Sequence, residues 1–188
     1  MKIITGEYGG RRFDPPRNLQ ARPTTDLAKQ ALFNILQCRF DIEGCRALDL
    51  FSGTGSISFE LLSRGAEQVV SVEMGRQQQQ FIQHVAEQLH IQRQHHQLVR
   101  GDVFRYLSGH GPAVPFDFIF ADPPYALERL AELPDIVLQG DWLSADGSFV
   151  LEHGKENDFS AHPHFLELRT YGAVHFSFFT KDAREKVE

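Results

Sequence analysis

The hydrophobic pattern after Cys45 alternates between short apolar runs and longer segments with helical spacing. Strands are predicted where the runs are short and rich in β-branched or aromatic residues, at residues 46–50, 68–73, 96–100, 116–121 and 148–152. Helices are predicted between them, at residues 57–62, 81–89, 103–107 and 127–138. Strands that alternate with helices indicate a parallel sheet covered on both faces.

The two ends of the chain depart from this alternation. Residues 166–171 and 173–180 have the pattern of two consecutive strands, which predicts an antiparallel hairpin. Near the start, Gly6 and Gly10 separate short apolar pieces, so a hairpin is predicted over residues 2–13. A helix follows, with apolar positions from Leu27 to Leu36 and a cap at Thr24 or Thr25.

Together these elements predict an α/β chain with a doubly wound, mostly parallel seven-stranded sheet that ends in an antiparallel hairpin. A short basic N-terminal extension precedes it. We expect residues 1–40 to form the basic arm and its helix, and residues 41–188 to form the main domain.

Composition agrees with a folded chain that has one sizeable core. The chain has 188 residues, of which 41% are hydrophobic and 16 are Phe. No apolar run approaches the roughly 18–20 residues of a membrane span, and no secretory signal is apparent. Cys38 and Cys45 are too few for a disulfide framework, so we expect two reduced thiols packed in the core of a cytoplasmic protein.

Charge is unevenly distributed along the chain. Residues 1–39 carry seven Lys and Arg against three Asp and Glu, whereas the whole chain has a net charge of -6. A basic arm on an acidic body predicts a polyanionic partner bound at that end. The alternative is a solvated surface on which basic residues cluster by chance. The candidate contacts are Arg11, Arg12, Arg17 and Arg22.

The first candidate site is the segment Asp49–Gly55, where a predicted strand runs into a glycine-containing turn and a helix. In open parallel sheets, ligands bind beyond the carboxyl ends of the strands, and Gly53 and Gly55 let the backbone approach a ligand closely. Ser58 stands where a dinucleotide fingerprint needs a third glycine. Asp49 would repel a pyrophosphate, so a ligand with an ammonium group fits better. A purely structural tight turn is the alternative.

Two further strand ends carry carboxylates. Glu73 can accept both hydroxyls of a ribose, as in nucleotide-binding sheets, or it can be a solvated acid. Asp102 can meet an adenine amino group, cap the helix that starts at Val103, or do both. Taken with the glycine turn, these positions predict an adenosine-containing ligand that lies across successive strand ends.

The fourth strand end carries the tetrad Asp122-Pro123-Pro124-Tyr125. Prolines lack the backbone N–H, so this segment offers backbone carbonyl oxygens without competing N–H donors. These acceptors lie beside the Asp122 carboxylate and the Tyr125 ring. Such acceptors suit an exocyclic amino group on a base. Hydrogen bonds accepted from both N–H groups of the amine favour the tetrahedral nitrogen of a transition state. The alternative is a rigid turn.

These residues resemble class I S-adenosylmethionine-dependent methyltransferases, and the tetrad resembles the (D/N)PP(F/Y) motif of amino-group methyltransferases. More specifically, the chain is similar over essentially its whole length to the RsmD family, which methylates a guanine-N2 amino group in 16S rRNA. The similarity is carried by residues 3–6, 10–11, 22–26, 32–36, 49–55, 60–66, 122–125 and 152–153. The chain departs from the family's usual pattern after Glu73, where Met74-Gly75-Arg76 follows.

The resemblance implies a Rossmann-like fold, S-adenosyl-L-methionine as cofactor, and a role for each candidate position. Asp122, Pro123 and Tyr125 would position the guanine. The cofactor would be bound by Asp49, Phe51, Ser52, Gly53, Thr54, Gly55, Glu73, Met74, Asp102 and Val103. The partner would be 16S rRNA within a small-subunit assembly particle, with a monomeric enzyme, no metal and no membrane.

Two other functions remain open at this point. An adenine amino-group methyltransferase acting on DNA would share the tetrad, but 188 residues leave little room for a target-recognition region. A non-catalytic RNA-binding assembly factor would not need Asp122 or the glycine turn. A nicotinamide-dependent oxidoreductase is disfavoured by Asp49 and Ser58.

Several conspicuous side chains are given ordinary interpretations. The histidines at positions 84, 90, 95 and 96 lack the spacing of metal ligands, so we expect a solvated helix and strand start. His153 follows Glu152 at a predicted strand end and is a candidate for a supporting role. Trp142 is expected to pack in the core.

Overall fold

The computed structural model describes residues 1–16 and 26–181, and their centre is a single seven-stranded sheet. Its strands are β1 (Arg46–Leu50), β2 (Gln68–Glu73), β3 (His96–Arg100), β4 (Phe116–Ala121), β5 (Leu143–His153), β6 (Phe165–Tyr171) and β7 (Val174–Thr180). The helices are α1 (Asp26–Gln37), α2 (Ser56–Ser63), α3 (Arg76–Gln88), α4 (Val103–Leu107) and α5 (Leu133–Gln139). None of the helices in these ranges is long and apolar enough to span a bilayer.

The strand order is β3-β2-β1-β4-β5-β7-β6, with parallel pairing from β3 through to β5. The chain winds from β1 to β3 on one side, returns to the middle, and continues through β4 and β5 on the other. This order confirms the predicted doubly wound sheet. It also creates a topological switch point between β1 and β4, where ligands bind in open α/β sheets.

The antiparallel end of the sheet is also confirmed. Strand β7 pairs antiparallel with both β5 and β6, so it lies between them. The turn between β6 and β7 contains Gly172 at a φ of +62°, a left-handed conformation that glycine adopts without steric cost.

The core consists of two apolar layers, one on each face of the sheet. Helices α1, α2 and α3 pack with Ile3 and Phe13 on one face, and α4 and α5 pack on the other. Trp142 is buried in the second layer, as predicted. Because both faces are covered, the central strands are buried at nearly every position rather than at alternate ones.

Some sequence-based predictions were wrong in detail. The helix expected at residues 127–138 begins as a 3₁₀ turn at Leu130–Glu132 and becomes α5 at Leu133, because Leu127 N donates to Pro124 O in a preceding turn. Strand β5 starts at Leu143, five residues before its predicted start, where Leu143 pairs with Phe116.

The two cysteines differ in their surroundings. Burial raises the pKa of the Cys45 thiol to about 12, as expected of a core residue. The expectation was wrong for Cys38, which is exposed because it lies one residue beyond the end of α1.

The N-terminal segment forms the predicted hairpin, and α2 holds it in place. Lys2 and Arg12 form an antiparallel bridge. Glu7 N donates to Ser63 O at 2.7 Å, and Tyr8 N donates to Ser63 Oγ at 2.9 Å. We call residues 1–13 the N-terminal loop. Its attachment to α2 makes it part of the same packed unit as the sheet.

A buried ion pair joins the N-terminal loop to α1 and α2. Lys29 Nζ lies 3.5 Å from Glu60 Oε2, and both side chains are fully buried. Glu60 also accepts hydrogen bonds from Ile4 N at 2.7 Å and Thr5 N at 3.1 Å, while Lys29 donates to Ser56 Oγ at 3.0 Å. Desolvation lowers the pKa of Lys29, and the neighbouring Glu60 opposes that shift. These bonds provide the partners that buried charges require.

Replacing Gly6 with alanine should destabilise the protein more than the same change at Gly10. Both glycines have a left-handed φ, +88° and +84°, so each alanine carries a strain of about 1–2 kcal/mol. An added Cβ at Gly6 would lie 1.7 Å from Ser63 O, whereas at Gly10 it would meet nothing within 4 Å. We expect Gly6→Ala to cost about 1–3 kcal/mol more than Gly10→Ala in urea unfolding. Equal losses would contradict this attachment of the loop to α2.

Candidate functional site

The carboxyl ends of β1 to β5 lie at one level along the sheet. Leu50 pairs with both Val72 and Ala121, and Ala121 pairs with Leu151. The next residue on each of these strands therefore lies at the same edge; these are Phe51, Glu73, Asp122 and Glu152. The register thus brings three of the four predicted strand-end sites side by side, with Gly101-Asp102 one strand further along after β3.

The loop between β1 and α2 contains three consecutive odd-numbered residues in the left-handed region. Phe51, Gly53 and Gly55 have φ values of +59°, +56° and +75°. A Cβ at Gly55 would lie 2.8 Å from the Phe59 ring, so glycine is needed there for close packing as well as for its φ. Phe51 has the strained conformation that non-glycine residues often show at functional sites. We call residues 51–55 the glycine loop.

Asp49 lies beneath the glycine loop rather than on its surface. Its carboxylate oxygen Oδ2 accepts hydrogen bonds from Ser58 N at 3.1 Å and Ser58 Oγ at 2.5 Å. It therefore caps the first turn of α2, whose own N-cap residue, Gly55, has no side chain to do so. Burial raises the pKa of Asp49 to about 7, the bonds from Ser58 oppose that shift, and the nearby Glu73 adds to it. Its predicted contact with a ligand stays a prediction, and the capping role is one that sequence analysis missed.

Glu73 connects the ends of β1 and β2. Its Oε2 accepts a hydrogen bond from Gly53 N at 2.8 Å, and its Oε1 accepts one from Gly75 N at 2.7 Å. The side chain is thus ordered by two loops instead of extending freely into solvent. Each carboxylate oxygen retains capacity for a further donor, which the predicted ribose contact requires. Met74, the next residue, is exposed at the same edge.

Asp102 caps α4, since its Oδ1 accepts a hydrogen bond from Arg105 N at 2.8 Å. The capping alternative is therefore confirmed, and the adenine contact stays a prediction that the exposed carboxylate leaves open. Val103 is buried in the core layer below. Gly101 N donates to Glu73 O at 3.1 Å, so the β3 loop is joined to the end of β2.

The Asp122–Tyr125 tetrad lies directly across the switch point from the glycine loop. Asp122 N donates to Leu50 O at 3.3 Å, which holds the start of the tetrad against the end of β1. Asp122 and Tyr125 are half-buried, and Pro123 is buried. The Tyr125 hydroxyl donates to Glu152 Oε1 at 2.9 Å, so the ring is fixed between the ends of β4 and β5.

Glu152 was predicted only as part of the family resemblance, without a role of its own. It is buried, and it orients Tyr125 through the bond just described. The position of Glu152 directly after the apolar run 149–151 was the sequence signal that could have identified it. His153 is also buried, with Nε2 2.7 Å from Ser177 Oγ and Nδ1 2.8 Å from Gly154 O.

His96 corrects the expectation of a solvated histidine cluster. It is buried because it opens β3 against α2, with its ring 5.4 Å from that of Phe59, and its Nε2 lies 2.8 Å from Ser71 Oγ. His84, His90 and His95 are exposed, as predicted. Within residues 1–16 and 26–181, no group of three or more His, Cys, Asp or Glu is arranged to hold a metal ion.

The predicted RNA contacts are only partly described. Arg11 and Arg12 are exposed on the N-terminal loop, and the Arg11 guanidinium lies 5.7 Å from the centre of the Phe13 ring. Arg17 and Arg22, and the predicted cap at Thr24 or Thr25, lie outside the described residues.

Comparison with known proteins agrees with this geometry. A family model described as "Conserved hypothetical protein 95" matches residues 1–180. The chain is 35% identical to "Putative rRNA methyltransferase YlbH" of Bacillus subtilis over 83% of this chain and 84% of that protein. It is 28% identical to "Ribosomal RNA small subunit methyltransferase D" of Escherichia coli K12, over 98% and 91% of the two chains. The solved structure of "Putative methyltransferase yhhF from Escherichia coli" superposes with a TM-score of 0.82 at 26% identity, covering 95% of this chain and 96% of that one. The resemblance noted from the sequence motifs is confirmed.

Removing the Tyr125 hydroxyl should lower the free energy of unfolding, and by more than the matched removal of the Tyr171 hydroxyl. Tyr125→Phe deletes a hydrogen bond to a buried carboxylate, which is worth about 1–2 kcal/mol. Tyr171→Phe is the control, because no hydroxyl bond of Tyr171 is found within the described residues, and it should cost less than about 0.5 kcal/mol. Thermal or urea unfolding at pH 7 measures both. Similar losses in the two variants would show that the Glu152 bond does not hold the ring.

Proposed function

Because the chain belongs to the family of conserved hypothetical protein 95, we propose that it is an S-adenosylmethionine-dependent methyltransferase of small-subunit rRNA. We propose further that the methyl group goes to the exocyclic N2 of a guanine in 16S rRNA. The observation that carries this proposal is the position of the Asp122–Tyr125 tetrad opposite the glycine loop, across the switch point between β1 and β4. The names of the relatives support rRNA methylation. The guanine-N2 specificity rests on the resemblance to the RsmD family.

The residues at the strand ends fit S-adenosylmethionine. The backbone of Ser52, Gly53, Thr54 and Gly55 would face the methionine part, since the two glycines offer close approach without side chains. Glu73 has lone pairs left that would accept from the ribose hydroxyls, and Asp102 and Met74 are exposed at the same edge, where the adenine would lie. The cofactor supplies an electrophilic methyl group on a sulfonium.

The tetrad would orient the amine that receives the methyl group. An exocyclic amine on guanine is a poor nucleophile because its lone pair is delocalised into the ring. The Asp122 carboxylate and the carbonyls beside the prolines would accept hydrogen bonds from the N–H groups of this amine. They would thereby favour the tetrahedral nitrogen of the transition state. Tyr125, held by Glu152, would present a fixed ring for stacking against the base.

The remaining details of the proposal concern the partner. The N-terminal loop, with exposed Arg11 and Arg12, would bind RNA phosphates, with residues 1–40 as the docking part and residues 41–188 as the catalytic domain. We propose that the substrate is 16S rRNA within a small-subunit assembly particle, and that the enzyme acts in the cytoplasm as a monomer without a metal ion.

Asp122→Ala should nearly abolish methyl transfer while S-adenosylhomocysteine binding stays within a few fold of wild type. Loss of one transition-state acceptor should cost about 3–4 kcal/mol, which corresponds to a fall of roughly 10²–10³ in rate. Labelled methyl donor would be supplied with free 16S rRNA, assembled small subunits or DNA, and calorimetry would measure binding. Asp146→Ala, at an exposed position on β5, is the matched control. Methylation of DNA alone would favour the adenine methyltransferase, and near-normal transfer by Asp122→Ala would contradict the catalytic assignment.

Reversing the charges of Arg11 and Arg12 should weaken RNA binding and flatten its salt dependence. Each phosphate contact on single-stranded RNA contributes about -0.7 to the slope of log affinity against log salt, so the loss of two should reduce that slope by about 1.4. The double change to Glu at exposed Arg93 and Arg169 alters net charge equally and serves as the control. Cofactor affinity should be unchanged in both. If both double variants weaken RNA binding alike, the N-terminal loop is not the docking element.

A further inference from the structure

A hydrogen-bonded chain of four buried polar side chains, which we call the relay, runs through the core beneath the glycine loop. Ser58 Oγ lies 2.5 Å from Asp49 Oδ2 and 2.7 Å from Ser71 Oγ, and Ser71 Oγ lies 2.8 Å from His96 Nε2. Ser58 and Ser71 are fully buried, and Asp49 and His96 are nearly so. The relay crosses β1, β2 and β3 on the face covered by α2, within an otherwise largely apolar layer that also contains the buried Lys29–Glu60 pair.

Counting hydrogens gives this chain a direction. An ionised Asp49 can only accept, so the single hydroxyl hydrogen of Ser58 goes to Asp49. Ser58 must then accept from Ser71, and Ser71 must accept from His96, which places the histidine proton on Nε2. Every member of the chain therefore donates towards Asp49. Burial lowers the pKa of His96 to about 4, so the ring is neutral near pH 7, and a neutral ring with its proton on Nε2 completes this pattern.

We infer that Ser58, Ser71 and His96 are positioning residues that favour the ionised form of the Asp49 carboxylate and fix its orientation beneath the glycine loop. The inference rests on the proposed function, in which that loop receives the methionine part of S-adenosylmethionine. A negative charge at Asp49 favours the ammonium group of that ligand and the N-terminal end of α2. Hydrogen bonds that point in one direction strengthen one another in a low dielectric, so a distant member such as His96 can still affect Asp49.

The surroundings of Asp49 leave few other groups to control its charge. Glu73 on β2 raises the pKa of Asp49, Ser58 on α2 lowers it, and burial has the largest effect. The β4 residue paired with Asp49 is Phe120, which carries no charge. With these opposing effects the pKa of Asp49 is about 7, so a modest loss of donors changes its ionised fraction near neutral pH.

Stability and ligand affinity should respond to pH in opposite directions. The folded pKa of Asp49 lies above its ordinary value of 3.8, so the free energy of unfolding should fall as the pH rises from about 4 to about 7. Affinity for S-adenosylhomocysteine should rise as Asp49 ionises, and level off above about pH 8. If the relay had a purely structural role, breaking it would change the free energy of unfolding without moving the midpoint of the curve of ligand affinity against pH.

The test measures the Asp49 titration directly, by ¹³C NMR of labelled aspartate carboxyl groups, and in parallel the pH dependence of S-adenosylhomocysteine binding. Ser71→Ala and His96→Leu, which break the chain at different links, should each raise the Asp49 pKa and the binding midpoint by about 0.5–1 pH unit. His96→Gln keeps an N–H donor and should restore part of the shift. Ser177→Ala is the matched control, because Ser177 is a buried serine bonded to His153 in the same sheet without a link to Asp49.

The outcomes separate this inference from the proposed function. If both chain-breaking variants titrate like wild type, the relay does not control Asp49 and the inference is wrong, whether or not the ligand binds. If the variants shift the Asp49 pKa but wild type binds no S-adenosylhomocysteine at any pH, the proposed function fails and the relay loses its role in ligand binding. Shifts in the two variants with none in Ser177→Ala establish the relay.

Discussion

Parallel hydrogen bonding among β1, β2, β4 and β5 sets the ends of these strands at one level, and the candidate site depends on that constraint. The glycine loop, Glu73, the Asp122–Tyr125 tetrad and Glu152 are distant in sequence but follow neighbouring strands. The winding direction of the chain reverses at β1. The glycine loop after β1 and the tetrad after β4 therefore lead to helices on opposite sides of the switch point, and no helix of the described residues connects them there. The switch point therefore lies between the glycine loop and the tetrad.

Helix α2 transmits this arrangement to the rest of the molecule. At its first turn it is capped by Asp49 from β1, and in its second half Glu60 and Ser63 hold the N-terminal loop. The Lys29–Glu60 pair adds α1 to the same contact. Buried ion pairs are weak evidence for stability, because the cost of desolvation offsets much of the attraction. What this pair does provide is a defined position for the N-terminal loop relative to the glycine loop.

Carboxylates are used in three distinct ways at this site. Asp49 accepts a hydrogen bond from a backbone N–H of α2, and Glu73 accepts two from backbone N–H groups of the loops, so both carboxylates shape the site as well as charge it. Glu152 acts on a side chain, fixing Tyr125 between two strand ends. Asp122 differs from these in lying half-buried at the switch point itself, next to prolines that offer no N–H in competition. This division is consistent with Asp122 as the group that meets the substrate.

The alternation of apolar runs was enough to predict seven strands and a doubly wound sheet, because a parallel sheet needs apolar strands and intervening helices. The glycine turn, Glu73 and the tetrad were also recognisable, since each follows an apolar run. The hydrogen bonds between buried side chains could not be recognised from the sequence, because they depend on which strands become neighbours. Ser71 and His96 look like ordinary polar residues until the register places them beside Asp49 and Ser58. From the sequence Asp49 was recognised only as a candidate ligand contact, and the tertiary structure adds that it lies beneath the loop and caps α2. Local pattern determined the elements, and long-range packing alone decided which polar groups became buried partners.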